Sequence, residues 1–132
     1  MSDASGERPT VLVVDDEEDL RDIMRRMLER RGFATLVAGY VDEALTACRD
    51  HDGPIDVLVT DLNLPGASGA ELSRAAGALR PDLRVVYISG LPKDLAVAKG
   101  LIDEDAVLVK KPFTSDTLIQ ALRAALTSQP TH

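Results

Sequence analysis

Two short apolar runs in this chain end in acids. Val11-Leu12-Val13-Val14 leads into the pair Asp15-Asp16, and Ile55-Asp56-Val57-Leu58-Val59-Thr60 leads into Asp61. Near-continuous apolar runs mark strands of a parallel sheet covered on both faces. Ligand sites in such sheets lie outside the carboxyl ends of the strands. Three carboxylates therefore converge on one edge, where their mutual repulsion calls for a cation or a proton. Two further runs put Ser89 and the pair Lys110-Lys111 at strand ends. An oxygen-only donor set suits Mg²⁺, a hard ion that takes few protein carboxylates and keeps several waters. A hydroxyl and a lysine opposite it suit the oxygens of a phosphoryl group. A carboxylate nucleophile, a metal and a lysine together make a phosphoryl-transfer site dominated by charge neutralisation. Each residue also has a plainer reading. The acids from Asp15 to Asp19 suit the start of a helix, Asp61 and Ser89-Gly90 suit turns, and Lys111 suits an ordinary surface. Their joint position at one sheet edge favours the site.

Those positions require an alternating scaffold. The pattern predicts strands at about Thr10 to Val14, Ala34 to Ala38, Ile55 to Asp61, Arg84 to Ser89 and Ala106 to Val109. Between them, apolar residues recur at helical spacing: Leu20, Ile23, Met24, Met27 and Leu28, stopped by Gly32; a helix from Asp42 to about Arg49; then Leu72, Ala75, Ala76 and Leu79, ending near Pro81. A weaker helix spans about Lys93 to Leu101. The last, capped by Thr114 or Ser115, carries Leu118, Ile119, Leu122, Ala125 and Leu126. Leu62 to Gly69 is dense in turn formers and reads as a loop. Strand and helix alternate five times, which implies an α/β fold: one doubly wound, five-stranded parallel sheet with helices on both faces. Residues 1–9 read as a disordered lead-in, 10–127 as one domain and 128–132 as a flexible tail.

The bulk properties agree with one domain: 132 residues, 45% of them apolar. A formal charge of -7 disfavours direct binding to nucleic acid or an anionic membrane. The single cysteine, Cys48, excludes an internal disulfide, and no signal peptide or long apolar span is evident; both point to the cytoplasm. Cys48 falls on the inner face of its helix with Val41, Ala44 and Leu45, and reads as a small hydrophobe.

In order and spacing these residues resemble the receiver (response-regulator) domains of two-component signalling. The resemblance rests on Val13-Val14-Asp15-Asp16-Glu17, Asp61-Leu62-Asn63-Leu64-Pro65-Gly66 with Gly69, Ile88-Ser89-Gly90 and Val109-Lys110-Lys111-Pro112-Phe113, and it covers about Thr10 to Leu126. It implies a flavodoxin-like strand order, 2-1-3-4-5. It implies that Asp61 is the phosphoacceptor and attacks the phosphohistidine of a partner histidine kinase or histidine phosphotransfer domain. Asp16, Asp61 and the backbone carbonyl of Asn63 would ligate Mg²⁺, with Asp15 acting through a water. Ser89 matches the switch hydroxyl and Lys111 the lysine that contacts the phosphoryl group, while strand alternation turns Lys110 the other way. The usual aromatic, three residues before that lysine, is replaced by Leu108, which puts the usual coupling of hydroxyl to aromatic in question. This departure, with the short stretch between Ser89 and Lys111, is similar to receivers attached to hybrid sensor kinases; a stand-alone receiver is the other possibility.

Arg21, Arg25, Arg26 and Arg30 line the outer side of the first helix, near where the family's histidine-bearing partner docks. The same residues also fit a solvated face with pairs such as Asp22-Arg26. Tyr87 is expected between sheet and helix, and Tyr40 in a loop. Two other functions compete with signalling. An aspartate-nucleophile phosphohydrolase needs a second acid two residues after the nucleophile, where this chain has Asn63. An interaction module that no longer accepts phosphate usually lacks an acid or the lysine, and all are present here. The expected protein is thus a signalling receiver, not a turnover enzyme, with a downstream target that the sequence does not name.

Overall fold

The computed structural model describes residues 8–128. Most of the expected lead-in and tail falls outside them. Of the described ends, the Pro9 carbonyl accepts from the Ala34 N–H at 2.9 Å, and the Ser128 hydroxyl donates to the Ala125 carbonyl at 2.9 Å.

The strands are β1 (Thr10–Val14), β2 (Ala34–Ala38), β3 (Val57–Asp61), β4 (Arg84–Ser89) and β5 (Val107–Lys110). The helices are α1 (Glu18–Arg30), α2 (Val41–Asp50), α3 (Gly69–Leu79), α4 (Lys93–Ala98) and α5 (Ser115–Leu126). The sheet order is β2-β1-β3-β4-β5, and every ladder is parallel. Alternate residues of each strand enter two separate cores. Val11, Val13, Val57, Val59, Val86, Ile88 and Val109 pack with Met24 and Leu28 of α1 and Leu118, Ile119 and Leu122 of α5. Leu12, Val14, Leu58, Val85 and Tyr87 pack with Ala44 and Cys48 of α2, Leu72 and Ala76 of α3, and Ala96 of α4. Because both faces are covered, β3 at the centre is buried along its whole length. The near-continuous apolar runs follow from that.

Two helix ends show how local chemistry sets element length. At the end of α1, Gly32 has φ +90°, its N–H reaches the Glu29 carbonyl and the Phe33 N–H reaches that of Leu28. Gly100, with φ +74°, ends α4 in the same way: its N–H bonds to Val97 and the Leu101 N–H to Ala96. Both are Schellman closures, in which a left-handed residue satisfies the last carbonyls. The second one stops α4 at Ala98, short of the expected Leu101. Two apolar residues expected on inner faces lie outside: Ile23 is 48% exposed and Leu79 42%. The buried stripe of α1 runs through Leu20, Met24, Met27 and Leu28, and that of α3 through Leu72, Ser73, Ala76 and Gly77. A 3.6-residue period leaves Ile23 and Leu79 at the rim. The expected loop after Asp61 holds a two-residue antiparallel ladder, Asn63 opposite Ser68 and Leu64 opposite Ala67, with Gly66 at φ +77° in its turn.

Candidate functional site

Register brings the acids together. Val14 lies opposite Thr60, so the residues that follow them, Asp15 and Asp61, leave adjacent strands side by side. On the other flank Asp61 lies opposite Ile88, and Ser89 opposite Lys110. Strand alternation assigns Asp15, Asp61 and Lys111 to the α1–α5 face and Ser89, in line with Val85 and Tyr87, to the other. Carboxylate oxygens of Asp15, Asp16 and Asp61 lie within 4.8 Å of one another.

Each acid is held differently. Asp61 is 8% exposed. Its Oδ1 accepts from the Asn63 N–H at 2.9 Å and its Oδ2 from Lys111 Nζ at 2.7 Å. Asp15 is fully buried; its Oδ1 accepts from the Glu17 N–H at 2.8 Å, while its Oδ2 has no hydrogen-bond partner and stands 3.7 Å from Lys111 Nζ. Asp16 is exposed. Burial pushes the Asp15 carboxyl above its ordinary range. The Glu17 amide and Lys111 oppose that shift, and the charges of Asp61 and Asp16 add to it. Burial pulls the Lys111 ammonium down, but the hydrogen bond to Asp61 and the charges of Asp61, Asp15 and Glu17 outweigh it, so Lys111 is held above its usual value. Lys111 is thus a cation committed to this acid-rich edge.

Lys111 rather than Lys110 enters the cluster, as alternation requires; Lys110 is exposed. Ser89 is 1% exposed, and its Oγ accepts from the Leu91 N–H at 3.0 Å rather than joining the acids. Asn63 is exposed and meets Asp61 through its own amide. Glu18 and Asp19 occupy the first turn of α1, so the acidic block divides between a helix start and the site. Tyr87 is buried and Tyr40 is 59% exposed, each where expected.

Two supports were not legible as such. A Cβ on Gly69 would overlap the carbonyl oxygen of Asp61, and the Gly69 N–H bonds to the Leu62 carbonyl at 2.8 Å. The glycine lets the start of α3 press against the backbone of the acid. A capping box of Ser68 and Glu71 fixes that start. The second support is Arg21, expected on the outer side of α1, whose Nη1 donates to the Asp15 carbonyl at 2.9 Å. Of the other arginines, Arg25 pairs with Asp22 at 2.6 Å and Glu29 at 3.1 Å, and Arg26 with Asp22 at 3.1 Å. Among the described residues, no helix is long and apolar enough to cross a membrane.

Known proteins are similar to this chain. The C4-dicarboxylate transport transcriptional regulatory protein DctD of Rhizobium meliloti is 34% identical over 119 residues, 89% of this chain and 25% of that protein. This chain therefore spans about a quarter of that relative. The crystal structure of a response regulator receiver protein from Sinorhizobium medicae superposes with a TM-score of 0.79 at 29% identity, covering 92% of this chain and 97% of the other. A response regulator protein from Burkholderia pseudomallei, determined with a phosphorylated aspartic acid, calcium ion and citrate, gives a TM-score of 0.74 at 30% identity over 86% of this chain and 66% of the other. The model of the response regulator receiver domain matches residues 11–123, and with the sheet order and acid cluster in place the chain belongs to the response regulator receiver domain family.

Proposed function

We propose that this receiver domain, residues 10–127, is a phosphoacceptor in a two-component phosphorelay, and that Asp61 takes the phosphoryl group. One observation carries the reading: Asp61 ends the central strand with a lysine ammonium 2.7 Å from one carboxylate oxygen and two more acids within 4.8 Å. In the transfer, an Asp61 oxygen attacks the phosphorus of a phosphohistidine on a histidine kinase or histidine phosphotransfer domain. A P–O bond forms and the P–N bond breaks; the imidazole nitrogen keeps the electron pair and takes up a proton. Lys111 then follows the charge onto the phosphoryl oxygens. Ser89, its hydroxyl proton free to donate, is the switch group that answers the new acceptor oxygens.

The residues fit a hard divalent cation. The donor set is oxygen only, and the buried Oδ2 of Asp15, which has no hydrogen bond, is an acceptor suited to a water or an ion. Asp16, Asp61 and the Asn63 carbonyl would hold Mg²⁺ directly, and Asp15 through a water. When bound, the ion supplies charge neutralisation at the phosphoryl oxygens. The phosphorylated aspartic acid and calcium ion of the Burkholderia pseudomallei relative support both assignments.

The domain is a signalling module rather than a turnover phosphohydrolase, since Asn63 stands where such an enzyme needs its second acid. We place it in the cytoplasm, with no direct contact to nucleic acid or membrane given its charge of -7. The test is intact-mass measurement after incubation with acetyl phosphate and Mg²⁺. One labile phosphoryl adduct is expected, lost in Asp61→Asn. No adduct, or an adduct that survives the substitution, would overturn the assignment.

A further inference from the structure

The guanidinium of Arg21 is the one arginine head of α1 turned onto the backbone of the acid loop. Its hydrogen bond, among the described residues, goes to the Asp15 carbonyl, at 2.9 Å. Among the described residues no carboxylate lies within ion-pair distance of it, unlike Arg25 and Arg26. It occupies space left by a missing side chain: a Cβ on Gly39, just past β2, would sit 2.8 Å from Arg21 Nη1. The Gly39 N–H is tied to Glu43 Oε1 at 2.7 Å, and the Asp15 N–H to the Ala38 carbonyl at 3.2 Å. Arg21 thus closes a bracket around the end of β1, from α1 across to the β2–α2 corner.

The carbonyl it grips belongs to the peptide plane that also contains the Asp16 N–H. Asp15 has a second hold, the Glu17 amide on its Oδ1. Asp16 is exposed, and no hydrogen bond to its side chain is seen among the described residues. The direction of its carboxylate therefore depends on how that peptide plane is held. We propose that Arg21 is a positioning residue for the divalent-cation site, acting through the Asp15–Asp16 peptide, and that Gly39 is kept free of a side chain to admit it. This rests on the assignment of Asp16 as a metal ligand in the reading above.

Coulomb's law and positioning give opposite signs. Removing a cation beside a dication site should tighten metal binding by relieving like-charge repulsion. Removing an orienting partner should weaken it, by about 10- to 100-fold for groups behind a ligand. The experiment is Mg²⁺ titration of the whole chain, followed by amide shifts of Asp16 and Asp61, on wild type, Arg21→Ala, Arg21→Lys and Gly39→Ala, with metal-free thermal melts alongside. Arg21→Ala should bind Mg²⁺ at least tenfold more weakly. Arg21→Lys, which keeps a donor only one bond shorter than the guanidinium nitrogen, should recover most of the affinity. Gly39→Ala, which pushes the guanidinium aside while keeping its charge, should weaken binding in the same direction but by less than Arg21→Ala. Affinity in Arg21→Ala equal to or tighter than wild type overturns the proposal. If that variant does not fold, wild-type affinity in Gly39→Ala overturns it. Wild-type protein that binds no Mg²⁺ removes the metal assignment itself, and this inference with it.

Discussion

Asp15 is a fully buried carboxylate with one oxygen lacking a hydrogen-bond partner, facing two other acids. Burial, with its neighbours' charges, holds its pKa above the ordinary 3.8. A raised carboxylate pKa means that the folded state prefers the proton. Its stabilisation is complete below the unfolded pKa and is lost as pH rises through the folded one. At neutral pH the charged form therefore works against folding. Asp15→Asn keeps an oxygen for the Glu17 amide and removes the charge, so it should be more stable than wild type in neutral, metal-free buffer. The difference should shrink on acidification. Thermal melts in chelator at neutral and mildly acidic pH check this; a variant less stable at neutral pH would contradict it. Such a gain would mark an acid retained for function at the expense of the fold.

At the scale of elements, the site depends on how closely α3 approaches the end of β3. Gly69 begins α3 directly against the Asp61 carbonyl, and both sides of the contact are backbone. A methyl group there cannot be relieved by a rotamer change. Gly69→Ala should cost about 1–3 kcal/mol, the usual cost of overpacking, and should slow labelling by acetyl phosphate because the backbone of Asp61 must move. Urea melts together with the labelling rate check both, and an unchanged unfolding midpoint would show that the contact relaxes freely. A different anchor holds α2. Arg80 donates to the carbonyls of Cys48, His51 and Gly53 at 2.7–2.8 Å, so a residue just past α3 satisfies the end of α2 and the loop after it. Nothing in the local sequence marks Arg80 for that task, because its partners lie about 30 residues away.

Across the whole molecule, the proposed phosphorylation of Asp61 has to be felt at a distance from the site. Leu108 stands at the position where receivers usually carry an aromatic. It is only partly buried and lies opposite Tyr87 on β4. Leucine has no ring to swing between an inward and an outward state. Beryllofluoride in place of the phosphoryl group should therefore shift amides around Ser89 more than those centred on Leu108, as mapped by amide chemical shifts with and without the mimic. Large shifts centred on Leu108 would contradict that expectation.

The amino-acid sequence alone determined the alternation of strands and helices, the parallel sheet and the acids at its carboxyl edge. Two-sided burial writes each strand as an apolar run, and the chain direction puts the residue after each run at the same edge. Alternation even separated Lys111 from Lys110. Only the tertiary structure decided what depends on distances between remote segments. Arg21 turned from the outer surface to the Asp15 carbonyl, Ile23 and Leu79 came to the rim, and Gly69 met Asp61 backbone to backbone. Helical periodicity limits a residue to a broad face, whereas packing fixes its angle within that face. For Arg21, that angle turns its guanidinium onto the Asp15 carbonyl, which the sequence could not supply.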